Sequence, residues 1–163
     1  MVESQPTGEV EVFLDRVASP EWSAQAPRMV RAFLEAAARS GKSVVSRESE
    51  ERLQKLFRSA IVRSAEEGLP EADRVRAVEL LAVGRPAEVV EPLSRLLLTD
   101  SPRVRAAAIQ SLGRLNSPGV GERLLKPWKA YRAEDRVAVV ALLAHRPERA
   151  QALLAAVERG EVG

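Results

Sequence analysis

At 163 residues, 45% of them apolar and only 4% aromatic, the chain is one ordinary domain that must build its core from Ala, Leu and Val; folding buries roughly 70% of the unfolded surface at this size. Lys and Arg number 25 against 23 Asp and Glu, a net charge of +2. Residues 1–68 hold 10 basic and 11 acidic residues and the remainder 15 and 12, so neither part has the concentrated positive charge that a phosphate backbone selects. Cysteine is absent, which excludes disulfides, thiolate metal sites and CxxCH haem attachment within these residues. No apolar run approaches the ~18 residues of a membrane span, and Met1–Pro6 lacks the basic region and apolar stretch of a signal peptide. The expectation is a cytoplasmic protein, or a piece excised from a longer one.

Helix punctuation runs from end to end. Val10, Phe13, Leu14 and Val17 follow the i, i+3, i+4, i+7 rule and predict a first short helix. Ser19-Pro20-Glu21 reads as N-cap, N1 proline and acidic first turn, and Val30, Phe33, Leu34 and Ala37 make the next stripe, stopped at Gly41. Ser46 with Glu48 opens a third helix with the stripe Leu53, Leu56, Phe57, Ala60 and Ile61, stopped at Gly68.

From Pro70 a repeat begins. Ala-[Val/Ile]-x-x-Leu recurs at Ala77, Ala108 and Ala138, 31 and 30 residues apart, and a second leucine follows the first by 12 residues each time, at Leu93, Leu124 and Leu154. Two apolar helical stripes per fixed period are the mark of a helical solenoid. Helix A of each unit is predicted at about 71–83, 102–115 and 134–144, and helix B at about 86–98, 118–130 and 147–159. The A–B turns are short and carry Pro86, Pro118 and Pro147 at or near the start of helix B, where a missing N–H costs nothing. Short links force antiparallel neighbours, so each unit is an αα-hairpin that buries its stripe only by stacking. The expected fold is all-α, a solenoid of antiparallel hairpins with about eight or nine helices. Residues 1–68 would supply irregular hairpins of the same array, and 69–163 three repeats (about 71–98, 102–130 and 134–159).

The unit length, with Asp73-Arg74-Val75-Arg76 or Pro102-Arg103-Val104-Arg105 ahead of the alanine stripe, resembles the HEAT class. The Trp/Gly/Tyr pattern of tetratricopeptide repeats and the Thr-Pro-Leu-His of ankyrin repeats are missing. A finer resemblance rests on Ala72 through Leu81, Val104 through Leu115, Leu124-Leu-Lys-Pro-Trp128 and Leu142-Leu-Ala-His-Arg-Pro147 through Val162, with Trp22, Phe33-Leu34 and Ser40-Gly41-Lys42-Ser43 upstream. This text is similar to the HEAT segment of large multidomain haem-binding proteins of planctomycetes. In that family a β-propeller, a HEAT array and a c-type cytochrome module share one exported chain. The resemblance implies a spacer or docking scaffold between redox domains, in a periplasmic or exported setting. It transfers no haem ligand and no dehydrogenase residue, because neither the propeller nor a CxxCH lies here.

Candidate sites are few. Gly41-Lys42-Ser43 lacks the glycine five residues earlier that a phosphate loop needs, that position being Ala36. His145 is the only histidine and reads as a solvated or helix-terminating residue. Ser40, Ser43, Ser46 and Ser49 fall where capping explains them. Arg74, Arg76, Arg103, Arg105 and Arg136 recur at the starts of A helices beside Asp73, Asp100 and Asp135. They form either a basic interaction stripe or, the favoured reading, an Asp–Arg ladder between repeats, since guanidinium pairs bidentately with carboxylate. Trp128 aligns with Leu97 and is expected in the core, whereas Tyr131 is expected on the surface as a contact residue. No catalytic, cofactor or metal residue is assigned, and protein or neighbouring domains are the expected partners. The expected function is a non-enzymatic scaffold; a stand-alone cytoplasmic adaptor is the alternative, and a HEAT-like DNA-repair glycosylase or nucleic-acid binder fits the weak charge less well.

Overall fold

The computed structural model describes residues 12–16, 25–39 and 46–163, and the backbone of 12–16 is helical. The Ser19-Pro20-Glu21 start, the Gly41 stop and Gly41-Lys42-Ser43 lie outside the described residues. Eight further α-helices follow in order: α1 Ala26–Arg39, α2 Arg47–Ala65, α3 Glu71–Leu81, α4 Pro86–Arg95, α5 Pro102–Arg114, α6 Val120–Leu125, α7 Ala133–Ala144 and α8 Pro147–Glu158. Short 3₁₀ turns at Leu96–Leu98 and Trp128–Ala130 extend α4 and α6. No strand occurs among the described residues. The fold is an all-α helical repeat.

Each A helix (α3, α5, α7) packs on the next A helix, and α4, α6 and α8 form the B layer behind them. Helix α2 packs on α3 and reaches α4 through Arg85–Glu50 at 2.5 Å, while α1 lies against α3. Local chemistry sets the starts: Ser46 and Ser101 accept the N–H groups of Ser49 and Val104 as N-caps. Pro86, Pro102 and Pro147 sit at N1. Pro118 does not. It precedes Gly119, whose φ of +74° turns the chain before α6 begins at Val120. Helix α2 ends at Ala65, three residues short of Gly68, with Glu66 already extended.

The core is continuous from Leu14 and Val30 through Leu81, Leu93, Ile109, Leu112, Leu124 and Leu143 to Ala156. In the third repeat the buried stripe departs from the textual one. Val139 and Leu143 are fully buried, whereas Ala138 and Leu142 are only partly covered. The structural period of the A helices is therefore 31 residues twice, with Leu81, Leu112 and Leu143 equivalent. One residue along a helix is a turn of about 100°, enough to move a side chain from the core to its edge. Leu142 instead leans on Gly113 of α5, where an added Cβ would come within 2.7 Å of it.

Leu154, expected in the core, is 63% exposed. The link from α7 to α8 holds two residues, against five between α5 and α6. The shorter link advances the B stripe, which becomes Arg149, Ala152, Leu153 and Ala156.

Candidate functional site

The five candidate arginines divide by their partners. Arg74, Arg105 and Arg136 stand 31 residues apart at one position of successive A helices, and each reaches back to a carbonyl near the end of the helical segment that precedes it in the chain. Arg74 Nε donates to Ser64 O at 3.2 Å, Arg105 Nη1 to Thr99 O at 2.6 Å and Arg136 Nε to Trp128 O at 3.2 Å. Helix C-termini leave carbonyls without intrahelical partners and carry partial negative charge, so a guanidinium is a suitable cap. Arg74 also reaches Thr99 Oγ1 at 3.4 Å, and Arg136 lies over the Trp128 ring at 5.4 Å.

Carboxylates enter this pattern at fewer places than an Asp–Arg ladder would require. Asp135 accepts from Arg105 Nε at 2.8 Å, both side chains only 8% exposed. The same Asp135 oxygen accepts the Arg132 N–H at 3.3 Å, so one acid caps α7 and holds α5. Arg103 meets Glu71 of the preceding repeat at 3.7 Å in an exposed pair. Asp73 pairs with Arg76 inside α3, and Asp100 makes no ion pair with a described residue. The physical reason is placement: Asp100 lies exposed in the turn before α5, outside the packed seam.

Tyr131 is not on the surface. It is 4% exposed, sits in the seam between the Trp128–Ala130 turn and α7, and its hydroxyl has no hydrogen-bond partner among the described residues. Burial, and secondarily the charge of Asp135, push its pKa well above the ordinary phenol value, with Arg105 opposing. Trp128 packs into the core beside it, its Nε1 also unpartnered.

One buried cation was missing from the sequence reading. Arg149 in α8 donates through Nη1 to Gly113 O at 2.8 Å and through Nη2 to Leu115 O at 2.5 Å, capping the end of α5. Burial lowers its pKa from the usual arginine value, with Arg146 adding to the effect and Glu148 opposing it; guanidinium nevertheless stays charged in proteins. Its signal was faint. It follows Pro147 by two residues in an unremarkable Glu-Arg-Ala, and only its position on the buried stripe marks it. Further ties join repeats: Ser111 Oγ to Val78 O at 3.2 Å, Ser101 Oγ to Glu71 at 2.6 Å, Arg123 to Glu91 at 2.7 Å and Arg146 to Asn116 at 3.0 Å. Arg123 holds the Glu91 carboxyl below its ordinary range.

His145 occupies the C-cap of α7, its Nδ1 2.5 Å from Ala141 O and its ring exposed. A groove of about 890 Å³ between the α6 end and the α8 end is lined by Glu122, Lys126, Trp128, Lys129, Arg159 and Glu161 among others. Its acids and bases alternate, and Arg159 is already paired with Glu161 at 2.9 Å. No helix among the described residues is long and apolar enough to cross a membrane.

With this geometry, a comparison with protein families matches residues 64–144 to HEAT repeats. That stretch is similar to HEAT repeats. It begins at the end of α2, whose Ser64 carbonyl Arg74 caps, and runs to the end of α7. Helix α8 lies beyond the matched segment, yet Arg149 and Ala156 join it to the same stack. No curated protein and no solved structure gives a match. HEAT repeats generally mediate protein–protein contacts.

Proposed function

We propose that the chain is a non-catalytic HEAT-repeat scaffold that holds protein partners or neighbouring domains at a set spacing. One observation carries this reading. Two of the five recurrent arginines, Arg74 and Arg105, are buried between repeats and engaged with backbone carbonyls or with Asp135, and Arg149 is buried in the same way. What the surface retains is mixed charge and exposed aliphatic side chains, the materials of a contact face. On this reading residues 1–68 cap the first repeat and extend the same array.

The finer proposal places the segment inside an exported haem-binding protein, between a propeller and a cytochrome module. Its support is the resemblance of the repeat text and of the Leu124–Trp128 and Leu142–Pro147 stretches. Reading the gene on both sides is the test: an upstream propeller and a downstream CxxCH support this proposal, and a stop codon directly after Gly163 refutes it. For the scaffold reading, the chain used as bait in its native cell should retain a protein partner at moderate salt. Retention of duplex DNA instead, lost as salt rises, would overturn it in favour of nucleic-acid binding.

A further inference from the structure

We draw no further inference here: the strongest candidate, the groove of about 690 Å³ among α1, α3 and the end of α5, is lined by Arg28, Arg31 and Arg114 but equally by Glu35 and Glu79, so its mixed charge selects no one class of partner and nothing in the structure shows what covers it.

Discussion

Tyr131 is the chain's only tyrosine, and its buried, unpartnered hydroxyl gives a direct titration experiment. Its folded pKa lies above the unfolded value of about 10. Above that pH the unfolded chain releases a proton that the folded chain retains. The unfolded state then binds fewer protons, so stability falls as pH rises through and beyond 10, and is fully present below it. Tyrosinate absorbance should therefore stay absent in the folded protein at pH 10–11 and emerge with unfolding. Tyr131→Phe removes a hydroxyl that has no partner, so it should leave stability at pH 7 within about 1 kcal/mol, or raise it, and flatten the alkaline decline; denaturant titrations at the two pH values measure both. Arg149 behaves oppositely, because two carbonyls depend on it. Arg149→Ala should cost about 2–3 kcal/mol by leaving those acceptors buried and unpaired, and Arg149→Lys, which cannot span both, should recover only part of this in the same titrations.

Helix register is the element-scale question, and the third repeat answers it through link length. Leu154 stands where the textual repeat puts a core leucine, yet the two-residue link between α7 and α8 rotates it outward. Leu143→Ala should cost about 2–5 kcal/mol, as for other fully buried leucines. Leu154→Ala should stay within about 0.5 kcal/mol in dilute solution. Thermal or urea unfolding of the two variants separates the structural register from the textual one; equal losses would refute it. The A and B helices themselves were legible because stripes at 3.6-residue spacing and N1 prolines act locally. The one-residue drift of Ala138 and Leu142 was not, since alanine, valine and leucine adjoin there and only neighbouring helices choose among them.

In the whole molecule, repeats communicate through nearest-neighbour seams, so stability should be close to a sum of repeat and interface contributions. The Arg105–Asp135 pair is the buried ionic link between the second and third repeats. Removing one partner strands a buried charge, and Arg105→Ala should cost about 3–5 kcal/mol. The loss should be local in its expression: hydrogen exchange in α7 and α8 should accelerate first, with α3 and α4 keeping their protection. Uniform acceleration across all helices would argue instead for a single cooperative unit. Replacing both partners by apolar residues of similar volume should cost much less than either single change.

Composition and periodicity alone determined that this chain is an all-α repeat, where its hairpins turn, and that Trp128 belongs to the core. These follow from local rules, namely helix spacing, capping and proline geometry, that any stretch of sequence displays by itself. Tertiary structure decided the partners of the recurrent arginines, the burial of Tyr131, the cap formed by Arg149 and the outward turn of Leu154. An arginine near an aspartate in the text has several acceptors within reach of its long side chain. Which one it meets depends on where the preceding helix ends in space, and that is set by packing between repeats, not by spacing along the chain.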